Sequence, residues 1–231
     1  MKEKSLLKYF STAEKIIWTV SVLMIISSFM LFDRTGFHTL IASLIGVTAL
    51  IFCSKGNPAG QVLMIVFCTI YSLISLECRY YGEMLTYMGM SLPMCVFSLV
   101  SWLRHPYKGN KAEVSVNRIK PTEFIIIAIL TVIVTVAFYF ILKVFGTASL
   151  LPSTFSVSTS FFASALVFRR SPYFALAYTA NDVVLIVLWF LAARNDISYL
   201  SVIICFFAFL INDIYTFINW KRMQKKQACD M

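Results

Sequence analysis

Two apolar stretches of this 231-residue chain each hold polar side chains that lipid tolerates only when they are partnered. Asn181 and Asp182 interrupt one stretch. Asn212, Asp213, Tyr215, Thr216 and Asn219 interrupt the other. Spacings of three, four and seven from Asn212 place Tyr215, Thr216 and Asn219 on one helical face, with Asp213 beside that stripe. Intramembrane amides and carboxyls are costly, and they mark a solute or ion path unless they only join neighbouring helices. Amides both donate and accept, and aromatic rings offer stacking faces, so the set suits a neutral or weakly cationic solute with a ring. Asn181, Asn212 and Asp213 are the expected hydrogen-bonding residues, and Tyr215, Tyr178, Phe174 and Trp189 the expected ring contacts. Asp182 and Asn219 support them, and the two carboxyls also favour a positive ring such as a pyridinium. No buried Lys or Arg cluster accompanies them, as a phosphorylated ligand would want. Glu83, a turn before Tyr87, reads either as a further member or as a solvated residue at a helix end. Gln61, Tyr71 and Ser72 stand on a neighbouring run.

The elements that must position these residues are membrane spans. Hydrophobic residues make up 59% of the chain, charged ones 13%, and mean hydropathy is +0.80. A soluble domain of this size carries about twice that charged fraction. Eight apolar runs, 15–32, 37–54, 60–78, 82–103, 122–145, 150–168, 173–192 and 197–219, approach the roughly 20 residues a spanning helix needs. The chain therefore reads as an all-α polytopic protein, one transmembrane domain over 1–231. With eight spans, sixteen of the twenty Lys and Arg fall on the side of both termini, and only Arg34, Lys143, Arg194 and Arg79 on the other. That bias places both termini in the cytoplasm and sets aside a nucleic-acid partner for the +9 charge. The first run exceeds a signal-peptide core and no small-x-small site follows it, so it is expected to stay as a helix. Cys53, Cys68, Cys95 and Cys205 lie within apolar runs without a C-x-x-C pair, which predicts small hydrophobes, no disulfide framework and no metal site.

The second half repeats the plan of the first. "TALIFCSKGNP" (Thr48–Pro58) is echoed by "SALVFRRSP" (Ser164–Pro172), and "FSLVSWLR" (Phe97–Arg104) by "YTFINWKR" (Tyr215–Arg222). Region 15–32 is then an extra helix, 37–103 repeat one, 122–145 a linking helix and 150–220 repeat two. Three helices is an odd number, so one linking helix makes the two copies parallel, with a site at their interface. Pro58 and Pro172 open equivalent helices, whereas Pro93 falls inside one and should bend it. Trp102 and Trp220 are expected in the cytoplasmic aromatic belt. The Ser/Thr-rich run 153–164 is expected to let helices pack closely.

With the repeat and "NDIYTFINW" (Asn212–Trp220) in view, the chain resembles the nicotinamide riboside transporter family, the PnuC-type carriers related in fold to SWEET sugar carriers. The resemblance covers about 37–226. "DIYTFINW" is similar to that family's Asn-Ile-Tyr-Gly-aromatic-x-Asn-Trp pattern, and Asn181 matches the Asn of its Trp-x-x-Trp-x-x-x-Asn motif. The two tryptophans of that motif stand here as Phe174 and Ala177. The leading Asn and the Gly are Asp213 and Thr216, and the first-repeat Asn is Cys95. These departures leave thiamine or riboflavin as alternative solutes. The resemblance implies facilitated diffusion, trapping by a cytosolic kinase, a homotrimer and no cofactor.

The reading is therefore a plasma-membrane carrier taking up nicotinamide riboside, or a similar non-phosphorylated vitamin, by alternating access. An enzyme would need convergent acid, base or metal ligands. The two histidines, His38 and His105, fall on opposite sides, and no H-E-x-x-H occurs. No P-loop for ATP is present, nor a filter-like loop as in a channel. A non-transporting assembly subunit is the remaining rival, in which the Asn212 stripe would face another protein.

Overall fold

The structure, a computed structural model, describes residues 9–33, 36–77, 81–147 and 149–230. Among them are eight helices long and apolar enough to cross a membrane. These are α1 (Thr12–Phe32), α2 (Phe37–Ser54), α3 (Ala59–Glu77), α4 (Tyr81–Arg104), α5 (Pro121–Val144), α6 (Leu150–Phe168), α7 (Tyr173–Ala193) and α8 (Leu200–Cys229). Lys2, Lys4, Lys8, Arg34 and Arg79, which enter the charge count above, lie outside the described residues.

Local chemistry sets most boundaries. A capping box starts α1 three residues before the expected position: Ser11 Oγ accepts from the Glu14 amide at 3.3 Å, and Glu14 Oε2 accepts from the Ser11 amide at 2.7 Å. Pro121 opens α5, where a missing N–H costs nothing. The bend expected from Pro93 is a π-helical turn over Thr86–Ser91, immediately before α-helix resumes at Leu92. Proline has no N–H for the preceding turn and crowds it, so the helix widens there. The last helix runs ten residues past the expected end at 219. Its polar tail is made of strong helix formers and is held by Gln227, which bonds the Val116 amide, the Val114 carbonyl and Glu113.

The segment after α4 is a short hairpin of β1 (Pro106–Tyr107) and β2 (Asn110–Val114). Lys108 and Gly109 both have positive φ, 47° and 76°, the pairing that a two-residue primed turn requires. Asp230 closes the C-terminus onto it: the Tyr107 hydroxyl bonds the carboxylate at 2.7 Å, and with Lys108 holds it below the usual carboxylate range.

Six helices close a ring. α2 packs on α3, α3 on α4, α4 on α6, α6 on α7, α7 on α8, and α8 returns to α2. Outside the ring, α1 lies against α2 and α8, and α5 against α6. At Gly46 the α2–α8 approach is so close that a Cβ would stand 2.5 Å from the Phe209 ring.

Trp102 and Trp220 correct the aromatic-belt expectation. Both are fully buried and stand 5.4 Å apart, centroid to centroid. Trp102 Nε1 donates to the Val167 carbonyl at 3.0 Å, and its neighbour Ser101 donates to the Phe168 carbonyl at 2.8 Å. At the other seam Trp220 Nε1 donates to the Cys53 carbonyl at 2.9 Å, and its neighbour Asn219 donates to the Ser54 carbonyl at 2.8 Å. The last carbonyls of a helix lack partners within it, so each Trp pair closes the end of the helix across a ring seam.

The extra helix is fastened at the same end. Glu14, 2% exposed, pairs with Lys55 at 3.2 Å and accepts from the Tyr215 hydroxyl at 3.1 Å. Removing one partner strands the other's charge away from water. Lys55→Met should therefore destabilise the detergent-purified protein by about 2–3 kcal/mol, less than a fully buried pair because Lys55 is partly exposed. The double change Glu14→Gln with Lys55→Met should recover part of the loss in melting temperature.

Candidate substrate site

Inside the ring, residues from four helices converge. Asp182 of α7 and Asp213 of α8 are each 3% exposed, and their carboxyls lie within hydrogen-bonding reach of one another. Cys68 of α3 and Cys95 of α4 are likewise in mutual contact. Tyr87 of α4 is close enough to interact electrostatically with Asp182, as is Tyr178 of α7 with Asp213. Tyr71 stacks at a tilt on Tyr87, centroids 4.5 Å apart, and Phe67 stands 5.5 Å from Tyr71. The Tyr178 and Ser164 hydroxyls share a hydrogen bond of 2.9 Å. The site is thus a buried acidic pair with tyrosines within electrostatic range of it, and the two thiols lie near Tyr178.

One oxygen of each carboxyl, Asp182 Oδ2 and Asp213 Oδ1, meets no hydrogen-bond donor among the described residues. The described Lys and Arg residues all lie at helix ends, in loops or in the polar tail of α8. Two carboxylates in contact, away from water and from any basic side chain, need a positive partner: a proton or a bound cation. A flat cation between tyrosine faces satisfies both the charge and the rings.

The expected site residues do not share one place. Asp182, Asp213 and Tyr178 meet in the ring interior. Asn181, next to Asp182, turns toward α6, where Ser160 and Thr159 donate to its Oδ1 at 2.9 and 2.8 Å. Phe174 lies at the terminal end, edge-on to Trp220 at 4.9 Å. Trp189 lies toward the opposite end, against Tyr199 at 5.3 Å.

The Asn212 stripe does not face the acidic pair. Asn212 Nδ2 donates to Ser21 of α1 at 2.9 Å and to the Ala208 carbonyl, Tyr215 donates to Glu14 of α1, and Asn219 donates to the end of α2. One residue is 100° of helix rotation, which suffices to turn Asp213 inward while Asn212 meets α1. The extra helix takes up the stripe, and no periodicity in α8 reveals which neighbour that will be.

Cys68 and Cys95, expected as small hydrophobes, pack in the buried apolar cluster of the ring, in contact with one another.

Comparison with known proteins gives one consistent result. The profile of the nicotinamide mononucleotide transporter family matches residues 36–222. The nicotinamide riboside transporter PnuC of Neisseria mucosa is 22% identical over 217 residues, spanning 92% of this chain and 82% of that protein. The fold is similar to that in the crystal structure of the vitamin B3 transporter PnuC, with a TM-score of 0.81, 19% identity and 94% of each chain covered.

Proposed function

The chain belongs to the nicotinamide mononucleotide transporter family, and from that premise we propose that it carries nicotinamide riboside, or a similar unphosphorylated cationic vitamin, across the membrane. The observation that carries this reading is the Asp182–Asp213 pair, buried in the ring without a basic partner among the described residues. Nicotinamide riboside bears a permanent positive charge on its pyridinium ring, which the pair would balance. Tyr87 and Tyr178 would line the ring, and their hydroxyls would meet the ribose.

Thiamine, whose thiazolium is also a permanent cation, satisfies the same pair and is the second reading. Uncharged riboflavin gains nothing from two carboxyls. A phosphorylated solute would bring negative charge to them, with no Lys or Arg to offset it.

The two seams, α4 on α6 and α8 on α2, carry the same pair of donors, a Trp and the residue before it. This supports the reading of two parallel repeats, 37–103 and 150–220, joined by 122–145. Movement of one repeat against the other at these seams is the proposed route of alternating access. Assembly as a homotrimer and trapping by a cytosolic kinase come with the family resemblance and belong to the proposal. Cytoplasmic termini are supported by the sixteen-to-four charge bias, and residence in the plasma membrane belongs to the proposal.

Uptake by proteoliposomes tests the reading. Labelled nicotinamide riboside should enter and exchange against unlabelled solute, while its 5′-phosphate and riboflavin should neither enter nor compete. Entry of thiamine alone would transfer the assignment to the second solute. Entry of none would overturn the carrier reading in favour of an assembly subunit.

A further inference from the structure

A second site stands at the end of the ring opposite the termini. The beginnings of α4 and α6, the end of α7 and the turn between α5 and α6 enclose a cavity of about 420 Å³, within the roughly 300–1,000 Å³ range of small-molecule pockets. Glu83 lines it, 6% exposed, and its Oε2 is buried with no hydrogen-bond partner among the described residues. Thr147 lines the same cavity, with a buried hydroxyl that is also unpartnered. The rings of Tyr81, Phe145 and Trp189 complete the wall. On the other side of Trp189 a smaller cavity of about 250 Å³ is lined by Asp33 and Asp196.

A buried carboxylate oxygen that meets no donor is costly unless a ligand brings the positive charge. An inorganic divalent ion would want several oxygen ligands, and no group of three His, Cys, Asp or Glu suited to a metal occurs among the described residues. One carboxylate with three rings fits a flat organic cation instead, through charge pairing and cation–π contact. Neighbouring acidic residues would raise the local concentration of such a cation.

We propose that this cavity is a separate capture site for flat-ringed organic monocations of the pyridinium type, built on Glu83 and walled by Trp189. That it feeds the Asp182–Asp213 pair rests on the carrier reading. That it binds the cation does not.

Trp189 supplies the readout, because a pyridinium in contact with an indole quenches its fluorescence. Purified full-length protein is titrated with 1-methylnicotinamide, a pyridinium cation, and in parallel with uncharged nicotinamide. Saturable quenching is expected with the cation only, and it should vanish in Trp189→Phe. Glu83→Gln should move the midpoint at least tenfold upward, with Glu83→Asp restoring much of it. Ala192→Phe, which fills the cavity from α7 and leaves the carboxylate in place, should abolish the signal. It keeps the test decisive if Glu83→Gln does not fold. The proposal is overturned if the parent protein shows no saturable quenching, if nicotinamide serves equally, or if Glu83→Gln and Ala192→Phe titrate like the parent. Proteoliposome uptake of nicotinamide riboside judges the carrier reading separately.

Discussion

A double variant, Asp182→Asn with Asp213→Asn, is expected to bind nicotinamide riboside at least about a hundredfold more weakly than the parent protein. Truncating one partner of a buried charge pair costs about 2–5 kcal/mol, much of it because the other charge is left without compensation. Here the stranded charge would be the pyridinium, held beside Tyr87 and Tyr178. Each single variant keeps one carboxyl and should fall between the parent and the double. The two carboxyls touch, so the single effects should not add. Asn preserves shape and hydrogen-bonding capacity, and removing two contacting acidic groups relieves a buried electrostatic cost. The double variant should therefore melt no lower than the parent in the absence of ligand.

Ligand-induced stabilisation separates the two effects. At a ligand concentration 100 times its dissociation constant the parent gains about 2.7 kcal/mol, whereas a protein bound a hundredfold more weakly gains only a few tenths. Parent-like stabilisation of the double variant by nicotinamide riboside would remove the pair from the binding site. It would leave Asn181 and the tyrosines as the recognition elements.

The second large effect is on folding. Trp220→Ala should destabilise the protein by about 3–5 kcal/mol, the usual cost of emptying a fully buried aromatic site. It also removes one of the two donors to the Cys53 carbonyl at the end of α2, leaving the Gly56 amide. Trp220→Phe keeps most of the volume and loses the N–H while the Cys53 carbonyl keeps the Gly56 amide, so about 0.5–1.5 kcal/mol of that loss should remain. Trp102→Phe should behave alike, because its N–H makes the equivalent bond to Val167. The rings touch, so the two Phe changes together should depart from additivity in the melting temperature of the detergent-purified protein. A Trp220→Phe protein as stable as the parent would show that the seam is held by packing rather than by the hydrogen bond.

These two predictions concern different parts of the sequence reading. Trp102 and Trp220 were legible as a repeated motif, but their burial was not. An aromatic residue beside a basic cluster fits a lipid-interface belt and a helix-end closure equally well. The choice depends on whether another helix ends beside it, as α6 does beside Trp102 and α2 beside Trp220. For Asp213 the sequence carried the residue type and its position one step off the Asn212 stripe. The stripe itself pointed away from the site, because the extra helix α1 offers Ser21 and Glu14 to it.

The sequence by itself determined the environment and the elements. Apolar runs of spanning length fix helices in lipid, because an unpaired backbone amide there costs several kcal/mol and only a helix satisfies its own. Capping residues such as Ser11 with Glu14, and Pro121, fix where helices start. Those signals are local, so they can be read along one chain. Tertiary structure alone decided which face of each helix looks inward, because almost every face of a membrane helix is apolar and periodicity gives little guidance. The meeting of Asp182 with Asp213, the burial of Glu83 beside a cavity and the fastening of the Asn212 stripe to α1 all follow from how the helices are rotated and paired. Close packing between specific neighbours sets those rotations.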